Sequence, residues 1–314
     1  MAARLDEITQ DNLSGSSEIL QQVVRFVHER LLASERMPHH LVYRDLAHSA
    51  CEILRAHSPM VALFHFCNQI LLAAERHMAL ESFSRHLAEL AQEFSRQQLS
   101  DEKKAIAHAL ALLPAPTTVA TLSKSSLVLN FLMRAAEKRL LVGVVVLESR
   151  PMREGCRLAE QLHRVGVRVH FLVDAAISHA LDRCDLIMIG ADAFSSQKLC
   201  NKIGTWPLAL SAQVHQKPMY CLATTLKYLP GNVVLPFSGR DHPASEVWND
   251  APPNVKIHNP YFEWIPIKLV QGIISERGLL RNEDLDQLDQ EFPLAQALQD
   301  FLEQEEGYSP ESTR

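Results

Sequence analysis

Apolar residues in the first third of the chain recur at every third or fourth position. Four such sets occupy residues 19–31, 46–54, 63–71 and 80–94. This spacing predicts four amphipathic helices, which are separated by breaks near Pro38, Pro59 and His77. Gly15 is the only glycine before Gly143, and a stretch that long without glycine also favours helices. We therefore expect the first third to be helical throughout.

A fifth helix is predicted to lead up to a domain boundary. Ser100 offers a capping hydroxyl, and two acidic residues follow it, so this helix is expected to begin there. Pro114 and Pro116 are expected to end it, because proline disfavours helical backbone at the residue before it. The sequence thus predicts a helical domain over residues 1–115.

After residue 116 short β-branched runs alternate with helical segments. The predicted strands cover residues 117–121, 141–147, 167–173, 186–189 and 219–223, and the predicted helices cover 125–139, 153–164, 175–182 and 204–216. The run 141–147 is apolar throughout, as a strand covered on both faces must be. The alternation predicts a doubly wound α/β domain with a mainly parallel sheet over residues 116–282. An acidic C-terminal helix and tail are expected over 283–314.

The composition narrows the class of protein. Apolar residues make up 47% of the 314 residues, and 37 acidic residues outnumber 31 basic ones, so the chain gives no sign of nucleic-acid binding. The longest apolar run, 140–147, is too short to span a membrane, and acidic residues near the start predict a cytoplasmic location. Six cysteines without CxxC spacing and unclustered histidines give no reason to expect a disulfide framework, a metal or a cofactor.

Polar residues follow the first two predicted strands. Ligands of an open parallel sheet bind beyond the carboxyl ends of its strands. Ser123, Ser125 and Ser126 follow the first strand at the start of a helix, where anions are stabilised. Glu148 and Arg150 follow the second, and a guanidinium suits a phosphate or a carboxylate. Either motif alone is equally consistent with a helix entry that binds no ligand.

The fourth predicted strand leads to further candidates. Asp192 leaves that strand after a Gly-Ala pair, and Asn201 and Lys202 begin nine residues later, just ahead of a predicted helix. A carboxylate, an amide and an ammonium suit a polyhydroxylated, phosphorylated ligand. Asp174, at the end of the third strand, is interpreted as a helix cap rather than a ligand contact.

Several segments carry a family resemblance. They are Glu148-Ser149-Arg150-Pro151, Gly190-Ala191-Asp192-Ala193, Asn201-Lys202-Ile203-Gly204-Thr205, Asn259-Pro260-Tyr261-Phe262-Glu263 and Ser275-Glu276-Arg277-Gly278. In order and spacing they resemble one superfamily. It contains the alpha, beta and delta subunits of eukaryotic translation initiation factor two B and the isomerases of methylthioribose-1-phosphate and ribose 1,5-bisphosphate. The resemblance is strong over residues 115–280 and rests on pattern alone in the helical third.

The resemblance implies a helical domain followed by a Rossmann-like α/β domain with a sugar-phosphate or nucleotide cleft. It also implies a homodimer, or a larger hetero-oligomer, formed through the α/β domain. The apolar and aromatic segment 261–265 offers interface anchors, although the same side chains could fill the core of the monomer.

The same resemblance implies roles for individual site residues, and it also shows where this chain departs from the isomerases' pattern. Asp192 matches the isomerases' proton-transferring aspartate, and Asn201 and Lys202 match their ligand-holding pair. Ser123 stands where the isomerases carry an essential cysteine, and an alcohol is a far poorer acid than a thiol. Their Arg-Pro-Thr phosphate turn is replaced by Ser58-Pro59-Met60, and their Gly-rich N-terminal loop is absent.

These departures favour one function over two others. The leading interpretation is a non-catalytic or regulatory member that binds a phosphorylated sugar or a nucleotide. The alternative is an aldose-1-phosphate to ketose-1-phosphate isomerase that uses Asp192 with altered chemistry at Ser123. The third is a purely structural subunit whose cleft is vestigial and whose apolar helices bind a partner.

Overall fold

The computed structural model describes residues 2–11, 14–57, 60–114, 116–231, 233, 241–288 and 292–306. These residues form two compact units. The first lies within residues 1–100, 229–238 and 290–314, and the second lies within 101–228 and 239–289. The domain limits drawn from the sequence pattern stay a prediction. Ser58 and Pro59, where the isomerases' phosphate turn is replaced, lie outside the described residues.

The helices follow the apolar periodicity of the chain. They are α1 (Ala2–Thr9), α2 (Ser16–Ala33), α3 (His39–Ala56), α4 (Val61–His77), α5 (Phe83–Leu112), α6 (Ser126–Glu137), α7 (Glu154–Arg164), α8 (Ile177–Leu181), α9 (Thr205–Val214), α10 (Asn282–Leu285) and α11 (Gln296–Glu306). In the part of the chain that the structure describes, none of them is both long enough and apolar enough to cross a membrane.

The first unit is helical, as predicted. Its core contains Phe64, Phe66 and Leu63, which are fully buried because they lie on the apolar face of α4. Buried Asn68 holds the segment before α11: its side-chain amide donates to the carbonyl of Pro293 and its Oδ1 accepts from the backbone N–H of Ala295, both at 2.9 Å.

The predicted helix start at Ser100 is wrong. The structure has one continuous helix, α5, across that position. Neither glycine nor proline occurs between Phe83 and Leu112, and residues with high helix propensity surround Ser100. Propensity summed over this stretch outweighs the preference of one serine for a capping position.

The strands of the second unit form two sheets. They are β1 (Thr117–Thr121), β2 (Leu141–Leu147), β3 (Val169–Leu172), β4 (Leu186–Ile189), β5 (Ala193–Phe194), β6 (Lys198–Lys202), β7 (Met219–Leu222), β8 (Phe262–Pro266), β9 (Gly272–Ser275) and β10 (Gly278–Leu280). The large sheet has the order β10-β9-β7-β4-β1-β2-β3, and the small sheet has the order β5-β6-β8.

The large sheet is parallel except for the antiparallel pair of β9 and β10. Successive residues of β2 point to opposite faces, so Val144 enters one core with α6 and α7, and Val145 enters the other with α8 and α9. Helices therefore cover both faces of the sheet. The predicted α/β architecture, with a helical N-terminal region before it, is confirmed.

The small sheet was not predicted. Asn201 and Lys202 lie on β6, at its junction with α9, rather than in a loop. They pair with Glu263 and Phe262 of β8, about sixty residues further along the chain. Such pairing depends on long-range contacts that a short, mixed sequence such as Lys198–Lys202 does not reveal.

Gly155 tests how tightly α7 packs against the end of β2. A Cβ atom at this position would lie 2.0 Å from the carbonyl oxygen of Leu147, which is backbone and cannot yield cheaply. Gly155→Ala is expected to cost about 1–3 kcal/mol of unfolding free energy by overpacking. Calorimetry should record a melting temperature several degrees lower. Cys156→Ala, at the neighbouring half-buried position, is the control, and equal stability of the two variants would contradict the packing argument.

Candidate functional site

The loops after β1 and β2 are joined through one buried hydroxyl. Ser149 Oγ accepts a hydrogen bond from the backbone N–H of Ser123 at 2.7 Å and donates to the carbonyl of Leu147 at 3.1 Å. Both serines have left-handed backbone, with φ of 65° at Ser123 and 64° at Ser149, an uncommon conformation for residues other than glycine. The hydrogen bond therefore holds two tight turns together at the carboxyl edge of the sheet.

Asp174 fixes the second of these turns. Its Oδ1 accepts from the backbone N–H of Ser149 and its Oδ2 accepts from that of Arg150, both at 2.7 Å. A carboxylate that accepts two backbone N–H groups forms strong, charge-assisted hydrogen bonds. Asp174 is the first residue of the 3₁₀ turn that precedes α8, but neither that turn nor α8 has a side-chain cap, so the cap interpretation is wrong. The side chain of Asp174 instead holds the loop after β2.

The charged residues of that loop already have partners within the protein. Glu148 Oε1 lies 3.0 Å from Nε of Arg153, and a guanidinium nitrogen of Arg150 donates to the carbonyl of Val247 at 3.0 Å. Arg150 is exposed and Glu148 is half-buried. The guanidinium of Arg150 is therefore an accessible cation at the end of β2, as is that of Arg153.

The start of α6 lies directly against the end of β4. Ser125 Oγ caps the helix by accepting from the N–H of Val128 at 3.4 Å, and Ser126 is the first helical residue. A Cβ atom at Gly190 would lie 2.7 Å from both Cβ and Oγ of Ser125, so only glycine fits there. This close approach brings the Ser123–Ser126 turn next to the segment that carries Asp192.

Asp192 lies between the large sheet and the small one. Its backbone N–H donates to the carbonyl of Cys200 at 2.9 Å, which starts the pairing of β5 with β6. Burial, and after it the charge of Asp192, raises the pKa of the Cys200 thiol well above its usual value. Burial also raises the pKa of Cys221 to about 12, while Lys227 lowers it and Asp192 raises it. Both thiols stay protonated near neutral pH.

Asn201 and Lys202 are buried and bonded internally. The Lys202 ammonium lies 2.6 Å from Glu154 Oε1 and 4.6 Å from the centre of the Tyr261 ring, and its side chain is only 4% exposed. The Asn201 amide donates to Thr205 Oγ1 at 3.0 Å. Opposite charge at this distance neutralises the ammonium within the protein.

Tyr261, whose ring lies against the ammonium of Lys202, makes further contacts of its own. Its hydroxyl donates to Glu246 and lies 3.1 Å from the sulfur of Met152. Burial, followed by that hydrogen bond, raises the pKa of Tyr261. His242 stacks on the ring with centroids 3.4 Å apart, and burial lowers the pKa of this histidine. Tyr261 is therefore held in the core of the unit. Because little of its surface is exposed, it is a poor anchor for an interface between subunits.

The N-terminus of α9 already holds a carboxylate. Glu263 Oε1 accepts from the backbone N–H of Gly204 at 2.7 Å and from that of Trp206 at 2.9 Å. These are among the groups that have no partner within the helix. Two of the backbone donors at the start of α9 are thus satisfied by a side chain of β8.

The structure brings most of the predicted candidates to one edge. Ser123, Ser125, Glu148, Arg150 and Asp192 follow β1, β2 and β4, which are neighbours in the sheet. Their role in binding stays a prediction. Among the residues that the structure describes, no group of three or more His, Cys, Asp or Glu could hold a metal ion.

Sequence reasoning missed several residues that shape this edge. Ser149 and Glu154 lie in or next to the segment Glu148-Ser149-Arg150-Pro151. Their contacts could not be predicted, because they depend on backbone geometry and, for Glu154, on Lys202, which lies 48 residues further along the chain. Lys227, which follows β7, could have been found, because the rule about the carboxyl ends of strands applies to β7 as well.

Comparison with known proteins places the fold in a family. The family described as the initiation factor 2 subunit family matches residues 13–282. The chain belongs to this family. It is 30% identical over 167 residues to a ribose 1,5-bisphosphate isomerase of Methanocaldococcus jannaschii. That alignment covers 52% of this chain and 54% of the relative, so the chain spans about half the length of that curated protein.

Solved structures show the same fold. The translation initiation factor eIF-2B of Pyrococcus horikoshii superposes with a TM-score of 0.76 at 24% identity, covering 90% of this chain and 98% of that chain. A chain of the tetrameric eIF2B-beta2-delta2 complex of C. thermophilum gives 0.68 at 16% identity, covering 91% of this chain and 92% of that chain. At these identities the likeness concerns the fold alone.

The contribution of Asp174 to the stability of the protein can be measured directly. Asp174→Asn keeps the shape of the side chain but removes its charge and one of its two acceptors. We expect a loss of about 1–3 kcal/mol in unfolding free energy, because a backbone N–H of the Ser149 turn loses its partner.

Urea unfolding of the purified protein measures this loss. Asp182→Asn is the matched control, since that carboxylate is 57% exposed and lies 3.4 Å from His215. An exposed pair of this kind contributes at most about 1 kcal/mol. If the control lost as much stability as Asp174→Asn, the role of Asp174 in fixing the turn would be refuted.

Proposed function

We propose that this family member binds a phosphorylated sugar or a nucleotide at the carboxyl edge of β4, β1 and β2, and that it does not isomerise the ligand. The observation that carries the proposal is Ser123, which stands at the position of the isomerases' cysteine in a turn held by Ser149. The proposal also places the protein in the cytoplasm, in a regulatory rather than a catalytic role.

Three features of the edge support binding. The capped start of α6 presents backbone N–H groups and the hydroxyls of Ser123 and Ser126, which suit a phosphate. Arg150 supplies an exposed guanidinium for phosphate oxygens. Asp192 supplies a half-buried carboxylate that can accept hydrogen bonds from sugar hydroxyls.

The chemistry of the available acids argues against isomerisation. Moving a proton between two carbons requires an acid and a base with pKa values near the working pH. A serine hydroxyl holds its proton too tightly for this task. The thiols of Cys200 and Cys221, which lie within electrostatic reach of Asp192, are buried and have raised pKa values.

An isomerase is the second candidate function. It is favoured by the presence of Asp192 at the position of the isomerases' aspartate and by the curated relative that is named a ribose 1,5-bisphosphate isomerase. In that case Asp192 would act as the base, and a group other than a thiol at position 123 would act as the acid.

Binding and turnover can be measured on one preparation. We expect titration calorimetry to detect a phosphorylated pentose or a nucleoside monophosphate. We also expect NMR to detect no conversion of ribose 1,5-bisphosphate or methylthioribose-1-phosphate, because the acid opposite Asp192 is missing. Ready conversion by the unmodified protein that is abolished in Asp192→Asn would overturn the proposal and favour the isomerase.

Restoring the thiol tests the same reasoning in the other direction. Ser123→Cys is expected to give a trace of turnover at most, since Ser58 also replaces an arginine of the isomerases' pattern. Ser126→Cys is the matched control, because it adds a thiol three residues away in the same turn region. Measurable turnover by Ser126→Cys, equal to that of Ser123→Cys, would show that the position of the thiol is irrelevant.

We also propose that the chain forms a homodimer through the outer face of α9. This helix contains no charged residue, and its inner face, with Leu208 and Ala209, is buried in the core. Trp206, Leu210 and Val214 form a stripe on the other face, with exposures of 40%, 43% and 82%. A helix that presents apolar residues on both its inner and its outer face is usually buried on both faces.

A second copy of the chain suits this stripe. Residues spaced by four along a helix pack against the same stripe of an antiparallel copy across a two-fold axis. Glu263 lies at the N-terminal end of α9 and Lys217 follows its C-terminal end, so an antiparallel copy also brings opposite charges together. Tryptophan is moreover among the residues that contribute most to interfaces.

Light scattering at micromolar concentration tests the dimer. The unmodified chain should give about twice its mass of 35.3 kDa, and Leu210→Asp should shift the mass towards that of the monomer. Val165→Asp is the control, because Val165 is 46% exposed and lies at the end of α7 instead. A monomer in the unmodified protein, or equal dissociation in both variants, would exclude α9 as the interface.

A further inference from the structure

Ser178, His215 and Asp182 form a chain of contacts outside the candidate site. Ser178 lies in α8, and Asp182 follows that helix four residues later, so the two side chains lie on one face. His215 follows the last residue of α9. Its Nε2 lies 3.1 Å from Ser178 Oγ, and its Nδ1 lies 3.4 Å from Asp182 Oδ1. The imidazole therefore bridges a hydroxyl and a carboxylate.

The carboxylate decides which ring nitrogen carries the proton when the His215 ring is neutral. An ionised carboxylate only accepts hydrogen bonds, so the nitrogen beside Asp182, Nδ1, is the favoured place for the N–H. Nε2 is then left with the lone pair that accepts from the hydroxyl of Ser178. A serine whose hydroxyl donates to a base, with the base oriented by a third group, has the arrangement of an activated nucleophile.

The helices that carry these side chains are fixed in the core of the unit. Leu181 of α8 and Ala209 of α9 are both fully buried in the same apolar cluster. The backbone N–H of Asp182 donates to the carbonyl of Ser178 at 3.1 Å, so the helical geometry continues through the whole face. Groups that stand on packed helices keep their relative positions better than groups on loops.

The group is open to solvent and lies away from the proposed ligand site. Ser178 is exposed, and the side chains of His215 and Asp182 are 24% and 57% exposed. His215 follows the C-terminal end of α9, whereas the candidate site adjoins the start of this helix, and its ten residues span about 15 Å. The ring turns towards α8 rather than towards the outer stripe of α9, because it bonds to Ser178. A reagent can therefore reach Ser178 without entering the candidate site.

We propose that Ser178 is an activated nucleophile that accepts an acyl group from an activated ester. Its Oγ attacks the ester carbon and forms a new C–O bond, while the bond from that carbon to the leaving alcohol breaks. The hydroxyl proton passes to His215 Nε2 and from there to the departing oxygen. Asp182 is a positioning residue, since it orients the ring through Nδ1 and stabilises the imidazolium that forms. This reaction does not depend on the proposed function.

The exposure of Ser178 limits the esters that react. In serine hydrolases, donors aimed at the developing oxyanion are worth about 10²–10³-fold in rate each. At an exposed serine, water takes much of that role. An amide or an alkyl ester should therefore react too slowly to measure, and an aryl ester, which has a better leaving group, is the substrate class that fits.

Acetylation by p-nitrophenyl acetate tests the proposal on the purified chain. Peptide mass spectrometry measures the rate at which each serine gains an acetyl group. We expect Ser178 to react at least about tenfold faster than Ser245, an exposed serine of the same unit. A positioned base contributes about 10²–10⁴-fold in enzymes, and an open site should keep part of this.

Variants separate activation from exposure alone. His215→Gln can still bond to Ser178 but cannot take its proton, so the rate at Ser178 should fall to that at Ser245. Asp182→Asn should slow the reaction severalfold without changing the melting temperature, and Asp182→Glu should restore most of the rate because it returns a carboxylate. A rate unchanged by Asp182→Asn would refute the positioning role.

Two outcomes would overturn the proposal as a whole. Equal rates at Ser178 and Ser245 in the unmodified protein would show that the hydroxyl is not activated, and this comparison needs no variant. Fast reaction at Ser178 that persists in folded His215→Gln would show that exposure alone accounts for it. The imidazole would then serve only to tie α8 to α9.

Discussion

The hydroxyl of Ser149 is the contact on which the candidate site depends. It is fully buried, it joins the loop after β1 to the loop after β2, and its own backbone is held by Asp174. The position of Ser123 relative to Arg150 follows from these few hydrogen bonds. Two left-handed turns would otherwise relax, since such backbone persists only where its surroundings hold it.

The charged groups around this edge are largely neutralised by the protein itself. Lys202 is paired with Glu154, Glu148 with Arg153, and Glu263 with the amides of α9. The proposed ligand would therefore meet the groups that stay accessible after β1 and β2, which are the hydroxyls at the start of α6 and the guanidinium of Arg150.

The sequence predicted five strands of the large sheet, β1, β2, β3, β4 and β7, because they are apolar runs separated by helical segments. It missed the short strands β9 and β10, which complete the sheet at one edge. Asp192 and Arg150 were found by one topological rule, which requires only the strand ends. The small sheet was missed because β6 and β8 pair across about sixty residues, and the partner of Lys202 was missed for the same reason. The helix start predicted at Ser100 was wrong because the preference of one serine for a cap position is weaker than the summed helix propensity of a thirty-residue helix.

The carboxylate at the start of α9 has a consequence for phosphate recognition. Glu263 is tethered to β8, so it occupies the amides of Gly204 and Trp206 at an effective concentration of about millimolar or more, whatever the free anion in solution. A phosphate would have to displace a built-in competitor there. The protein thus carries its own counter-anion at the start of α9, whereas the start of α6 is capped by the uncharged hydroxyl of Ser125.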